Sequence, residues 1–94
     1  MKNINHIKKL TIAHRGIYDN INIPENSFLA FLLAKKSKIP IELDVRYTKD
    51  KKLVVFHDNS LYRMTKINKK VSDCTFDEVK SFPLIKTNYR TPLL

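Results

Sequence analysis

The run Ile41-Glu42-Leu43-Asp44-Val45 constrains the fold of this chain more than any other stretch, because two carboxylates interrupt residues that belong in a core. In an extended strand, residues two apart point to the same side, so Glu42 and Asp44 share one face and the apolar residues share the other. Two ionised groups this close repel each other and lose hydration when they are buried, and a bound cation removes both costs. Oxygen ligands favour a hard cation, so the run predicts a site for Mg²⁺ or Ca²⁺. The alternative is a strand at a sheet surface whose carboxylates are hydrated.

The length and charge of the chain limit the number of domains and the kinds of partner that it can have. Its 94 residues, of which 43% are hydrophobic, allow one small domain with a modest core. The 18 Lys and Arg residues against 9 Asp and Glu residues give a formal charge of +9, which suits an anionic partner. The lysines stand in scattered pairs, and no basic stripe alternates with stacking aromatic residues, so we expect hydrated charge and no nucleic-acid partner. The alternative is a non-catalytic basic module that binds anionic ligands.

Cysteine content and hydropathy indicate the compartment. Cys74 is the only cysteine, which excludes an internal disulfide and a cysteine-rich zinc site. Residues 1–10 lack the apolar run of a signal peptide, and the longest apolar stretch, residues 28–34, is too short to span a bilayer. We therefore expect a cytoplasmic protein without stable membrane insertion. His6 lies in the polar N-terminal segment and is given no role.

Three predicted strands end in polar, chemically active residues. The strands are residues 10–14, 41–45 and 53–57, and their polar residues are His14 and Arg15, then Glu42 and Asp44, then His57 and Asp58. The continuous apolar run of the third strand is typical of a strand covered on both faces, as in a parallel α/β sheet. Because the carboxyl ends of parallel strands meet at one rim, we expect the three sets of residues to lie close together.

Two helices are predicted between and after these strands. Residues 28–36 show helical spacing of apolar residues, so Phe28 and its stripe are expected to pack in the core, with Asn26 or Ser27 as the N-cap. Thr75 is expected to cap a second, short helix. The polar stretch between the third strand and this helix is expected to be irregular.

The residues at the strand ends are those that phosphodiester cleavage requires. This reaction needs a base for the attacking hydroxyl or water, an acid for the leaving alkoxide, and cations beside the phosphoryl oxygens. His14 and His57 can supply the acid and the base, because imidazole titrates near neutrality. A metal ion on Glu42 and Asp44, together with the fixed charge of Arg15, can supply the cations.

Five short motifs follow one another along the chain: His14-Arg15-Gly16, Pro24-Glu25-Asn26-Ser27, Glu42-Leu43-Asp44-Val45, Thr48-Lys49-Asp50 and Val55-Phe56-His57-Asp58. In this order and spacing they resemble the N-terminal part of the glycerophosphodiester phosphodiesterase family. The downstream segments Arg63-Met64-Thr65 and Val71-Ser72-Asp73 continue the resemblance, which extends from about Leu10 onward.

The resemblance implies a fold and an activity. The fold would be α/β, an incomplete TIM (β/α)₈ barrel of the phospholipase-C-like phosphodiesterase type, with residues 1–94 as the truncated N-terminal portion of the domain. A complete barrel takes roughly 250 residues, so about three strands are expected here. The implied enzyme cuts small-molecule glycerophosphodiesters to glycerol 3-phosphate and an alcohol, and the 94-residue chain is expected to have little or no activity without the missing C-terminal part of the barrel as a partner. The alternative within this class is a related phospholipid diesterase.

The resemblance also implies roles for individual residues. These roles are catalytic for His14 and His57, metal-binding for Glu42 and Asp44, phosphate-binding for Arg15, and site-shaping for Glu25 and Asn26.

The chain departs from the family pattern in two ways. Lys51, Lys38 and Ile39 stand where the family usually has glycine, which is expected to change loop conformation more than chemistry. The family's third acidic metal ligand and a later phosphate-binding lysine have no counterpart in these 94 residues.

Overall fold

The computed structural model describes residues 12–94, and the structural statements below refer to these residues. Leu10 and Thr11, at the start of the first predicted strand, lie outside them, as does His6. Within residues 12–94, no helix has the length and apolar character needed to cross a membrane. The elements are β1 (Ala13–His14), α1 (Phe28–Lys36), β2 (Ile41–Glu42), β3 (Val45–Tyr47), β4 (Leu53–Val55), α2 (Tyr62–Thr65), a 3₁₀ helix (Val71–Asp73) and α3 (Phe76–Ser81).

Helix α1 has the predicted bounds, and Ser27 is its N-cap. The Ser27 hydroxyl accepts a hydrogen bond from the backbone N–H of Ala30 at 3.2 Å, which satisfies one of the free donors of the first turn. The prediction that its apolar stripe packs in the core is wrong for Phe28, which is 70% exposed, and for Leu32, which is also exposed. The small side chains of Ala30 and Ala34 are buried instead.

The strands pair in two separate sheets of two strands. β1 and β2 are parallel, as expected, whereas β3 and β4 are antiparallel. The expectation that the third strand joins a parallel sheet is therefore wrong, because residues 48–52 form a tight turn and a parallel pair needs a long crossover. The expected single strand over residues 41–45 is also wrong in part, since it is interrupted at Leu43 and Asp44.

Strand β4 is the central element of the core. One edge pairs with β3, and Val54 on β4 also forms an antiparallel bridge to Leu93. The stretch expected to be irregular contains α2 and the 3₁₀ helix, whose side chains pack under β4. The main buried cluster is Val54, Phe56, Leu61, Met64, Val71, Cys74, Val79 and Leu84.

Two features of this core agree with the sequence analysis. Thr75 caps α3 in a full capping box, in which its hydroxyl accepts from the Glu78 N–H and the Glu78 carboxylate accepts from the Thr75 N–H. Cys74 is buried, and burial raises the pKa of its thiol, so the thiol packs in the core and is not poised for reaction.

Candidate functional site

The parallel pairing of β1 with β2 brings a predicted acid/base histidine beside a predicted metal ligand. The register places His14 opposite Glu42, and His14 Nδ1 lies 2.6 Å from Glu42 Oε1. A carboxylate can only accept a hydrogen bond, so the Nδ1–H of His14 is the donor and Nε2 is left for other partners. Both side chains are exposed and therefore accessible to a ligand.

The turn after β1 directs Arg15 toward the acidic groups. Arg15 has a left-handed backbone, with φ of 61°, and its N–H donates to the Glu42 carbonyl at 2.6 Å. Its carbonyl accepts from the Asn26 N–H at 2.8 Å, which fixes the turn to the loop before α1. The guanidinium then lies 3.7 Å from Asp44 Oδ2 and donates to Glu25 Oε1 at 3.3 Å.

Gly16 allows this turn to pack against α1. Its φ is +82°, and a Cβ at this position would lie 2.7 Å from the backbone carbonyl carbon of Ala30. We expect Gly16→Ala to lower the free energy of unfolding by about 2 to 4 kcal/mol, because it adds both backbone strain and a clash with backbone atoms. Urea unfolding measures the change. Lys51→Ala is the matched control, since Lys51 also has positive φ, of 63°, but is exposed; equal midpoints for the two variants would contradict the prediction.

Asp44 is held from two sides. Its Oδ2 accepts from Asn26 Nδ2 at 3.1 Å, and its backbone carbonyl accepts from the Phe56 N–H at 2.9 Å. The other amide atom of Asn26, Oδ1, is buried and has no hydrogen-bond partner among residues 12–94. The loop before α1 therefore fixes the direction of the second predicted metal ligand.

Glu25 is a buried carboxylate surrounded by donors. Its side chain is 2% exposed and accepts two hydrogen bonds from Arg63, at 2.7 and 3.0 Å, and one from Asn20 at 2.8 Å. Burial alone would raise the pKa of Glu25, but the hydrogen bonds from Arg63 and Asn20 and the charges of Arg63 and Arg15 outweigh it and lower the pKa. Glu25 therefore stays ionised and fixes both guanidinium groups.

His57 follows β4 and is held by its neighbour in sequence. Its Nδ1 lies 2.7 Å from Asp58 Oδ1, and Arg63 donates to Asp58 at 2.9 and 3.1 Å. The hydrogen bonds from Arg63 lower the pKa of Asp58 to about 2, so Asp58 is a carboxylate that accepts the Nδ1 proton. Arg46 donates twice to the His57 carbonyl, at 3.0 and 2.6 Å, and so fixes the backbone at the end of the strand.

These contacts join into one network of polar side chains. It runs without a break through Asn26, Asp44, Arg15, Glu25, Arg63, Asp58 and His57. His14 and Glu42 are attached to it through the backbone hydrogen bond from Arg15 to Glu42. The sequence-predicted site residues thus lie along one connected set.

Comparison with known proteins shows the family of the chain. The model of the glycerophosphoryl diester phosphodiesterase family matches residues 14–93 of the chain. The chain belongs to this family. It is 47% identical over 75 residues to a glycerophosphodiester phosphodiesterase of Caldanaerobacter subterraneus, a match that covers 79% of this chain and 30% of the relative. It is 46% identical over 69 residues to the Bacillus altitudinis enzyme of the same name, with 72% of this chain and 27% of the relative covered.

Solved structures of the family have the same fold in this region. A glycerophosphoryl diester phosphodiesterase from Parabacteroides distasonis superimposes with a TM-score of 0.76 at 35% identity, over 89% of this chain and 31% of the relative. An Oleispira antarctica phosphodiesterase, solved in complex with the product sn-glycerol-3-phosphate, superimposes with a TM-score of 0.79 at 28% identity, over 89% of this chain and 36% of the relative. The chain therefore spans about a third of the length of these family structures.

Three residues that contact the site residues were not given a role from sequence. The sequence around Asn20 and Arg46 gives neither residue a functional role, and Arg63 stands out only as part of a segment of the family resemblance. Arg63 meets Glu25 across 38 positions in sequence, so no local spacing could reveal the pair. Asp58, which follows the third predicted strand, supports His57 through a contact of 2.7 Å with its Nδ1.

The donor set of this family member suits a hard cation. Glu42 and Asp44 offer oxygen ligands only, and the second oxygen of Glu42 has no hydrogen bond to another residue in the described part of the chain. Within residues 12–94, no group of three or more His, Cys, Asp or Glu side chains is arranged as a complete metal cluster. Mg²⁺ is often held by one or two carboxylates together with water and substrate phosphate, so a pair of carboxylates fits such an ion.

Proposed function

We propose that the chain forms the N-terminal portion of a glycerophosphodiester phosphodiesterase domain, and that the complete domain hydrolyses glycerophosphodiesters to glycerol 3-phosphate and an alcohol. The observation that supports this most is the single polar network that connects Asp44 and Arg15 with His57 and, through the backbone, with His14 and Glu42. The product complex of the Oleispira antarctica relative supports the same class of substrate.

The two histidines would exchange protons with the substrate. Each Nδ1 is hydrogen-bonded to a carboxylate oxygen, at 2.6 Å for His14 and 2.7 Å for His57. In the neutral ring this leaves Nε2 as an acceptor, and in the charged ring it leaves Nε2–H as a donor. One histidine would take the proton of the attacking hydroxyl or water, and the other would give a proton to the leaving alkoxide.

The charged groups would bind and orient the phosphodiester. Glu42 and Asp44 would hold Mg²⁺ or Ca²⁺, which when bound offsets negative charge on the phosphoryl oxygens. Arg15 would contact a phosphate oxygen, because its side chain is only partly buried and is fixed by Glu25 and Asp44. Asn26 would keep Asp44 directed at the site through its amide hydrogen bond.

The described elements would form the first part of an incomplete TIM barrel. The parallel pair of β1 and β2 and the likeness to the solved family structures support this assignment. An apolar groove of about 400 Å³, lined in part by Phe28, Leu32 and Ile41, faces solvent beside this pair. We infer that a C-terminal remainder of the barrel covers this groove, and that the 94-residue chain alone turns over little substrate.

The test joins the chain in frame to the residues that follow the matched region in the Caldanaerobacter subterraneus relative. We expect this fusion, and not the chain alone, to release glycerol 3-phosphate from a panel of glycerophosphodiesters in the presence of Mg²⁺ or Ca²⁺. Chelation with EDTA is expected to lower the rate at least about 100-fold, and returning the ion should restore it. A rate that survives chelation, or a preference for sphingomyelin or lysophospholipid substrates, would contradict the proposal.

A further inference from the structure

Arg63 bridges two carboxylates that belong to different parts of the chain. Its guanidinium donates to both oxygens of Glu25, at 2.7 and 3.0 Å, and to both oxygens of Asp58, at 2.9 and 3.1 Å. Arginine is the only cationic side chain that can make two such paired contacts at once, because its planar guanidinium carries several N–H donors in a fixed fork. Arg63 therefore fixes the position of Asp58 relative to the loop before α1.

Glu25 gives this bridge a rigid end. Its side chain is buried, whereas the side chain of Arg63 is 45% exposed and that of Asp58 is 25% exposed. Glu25 is held in turn by Asn20, which donates to its side chain and accepts from its backbone N–H, both at 2.8 Å. The bridge is thus most buried at Glu25, and Asp58 is held through Arg63 from this buried end.

Asp58 is the group that decides which nitrogen of His57 carries the proton. It lies 2.7 Å from His57 Nδ1, and an ionised carboxylate can only accept, so the neutral ring is protonated at Nδ1. Among residues 12–94, the charged groups hydrogen-bonded to His57 are Asp58 at its ring and Arg46 at its backbone carbonyl, and Arg63 is hydrogen-bonded to Asp58. Arg63 is the one that contacts Asp58 directly.

We propose that Arg63 is a positioning residue, anchored on Glu25, that holds Asp58 so that His57 carries its ring proton on Nδ1 and presents Nε2 to the substrate. The proposal rests on the proposed function only in giving His57 an acid/base role. Its geometric part is independent of turnover, because it concerns one hydrogen bond within residues 12–94.

The test is the tautomer of His57 in the 94-residue chain labelled with ¹⁵N in its histidines. Long-range ¹H–¹⁵N spectra at about pH 8.5, some two units above the ordinary imidazole pKa, report which ring nitrogen is protonated. We expect Nδ1 to be protonated in the native chain and in Arg90→Gln, a control that removes an exposed arginine. In Arg63→Gln we expect the Nδ1-protonated fraction to fall to about half, and in Arg63→Lys we expect an intermediate fraction, because one ammonium cannot make both paired contacts.

A second measurement follows the carboxyl ¹³C signal of Asp58. Its pKa of about 2 is expected to rise toward the ordinary value of 3.8 in Arg63→Gln and to stay low in Arg90→Gln. If Arg63→Gln loses its dispersed amide spectrum, Arg63→Lys decides, because it keeps a cation beside Glu25. A His57 ring protonated at Nε2 in the native chain, or an Nδ1-protonated fraction unchanged in both Arg63 variants, overturns the proposal. Substrate is absent from this experiment, so a failure of the proposed hydrolysis would leave its result intact.

Discussion

The variant His57→Ala is expected to lower the rate of glycerophosphodiester hydrolysis by the fusion protein about 10²- to 10⁴-fold, with little effect on its stability. The rate should fall because, in the proposed reaction, this ring makes one of the two proton transfers, and His14, the other imidazole in residues 12–94, makes the second. Stability should change little because the His57 side chain is 41% exposed, and its main side-chain partner, Asp58, keeps its hydrogen bonds from Arg63. Release of glycerol 3-phosphate measures the rate, and thermal unfolding measures the stability.

His6→Ala is the matched control, because it removes the same side chain from a segment to which the sequence gives no role. We expect its rate to equal that of the unsubstituted fusion. Turnover by His57→Ala within about threefold of the control would remove His57 from the acid/base pair, since even a modest general acid contributes more than this.

Helices α1 and α3 could be predicted well because their signals are local, whereas α2 and the 3₁₀ helix were not predicted. Ser27 before an apolar run and Thr75 three positions before Glu78 are capping patterns that depend on a few neighbouring residues. The exposure of Phe28 could not be predicted in the same way. Helical spacing shows which side chains share a face, but it does not show what covers that face.

The direction of β4 was predicted incorrectly because an apolar run does not reveal its partner. Buried strands of parallel and antiparallel sheets both consist of continuous apolar residues when both faces are covered. The turn at residues 48–52 indicates the strand direction, since so short a connection permits only an antiparallel pair. Lys51 within this turn adopts a positive φ, of 63°.

The pairing of His14 with Glu42 was predictable, whereas the contacts beyond the strand ends were not. His14 and Glu42 could be placed together because neighbouring parallel strands end at the same edge. The bridge from Glu25 through Arg63 to Asp58 could not be predicted, because its members come from two loops and a short helix. Such contacts depend on the packing of distant segments and leave no periodic pattern in the sequence.

Glu25→Ala is expected to be the most destabilising substitution among the site residues, lowering the free energy of unfolding by about 2 to 3 kcal/mol. The carboxylate is buried and accepts four hydrogen bonds from the side chains of Arg63, Asn20 and Arg15, so its removal leaves three donor side chains without this partner. The loss of stability should be smaller than the roughly 3 to 5 kcal/mol that breaking a fully buried ion pair costs, because the Arg63 side chain can be hydrated once Glu25 is removed. For a domain of this size we expect the melting temperature to fall by about 10 to 20 °C.

Glu42→Ala is the matched control, since Glu42 has an exposed side chain and one side-chain partner, and we expect it to change the stability by less than about 1 kcal/mol. The pH dependence gives the prediction a second check. Because the folded state lowers the pKa of Glu25 below its ordinary value of 4.5, its stabilising contribution is complete above that pH and is lost as the pH falls through the lowered pKa. The difference in stability between the native chain and Glu25→Ala should therefore be constant from neutral pH to about pH 5 and shrink in stronger acid. A difference that grows in acid, or a melting temperature equal to that of Glu42→Ala, would show that Glu25 is not the ionised anchor of this network.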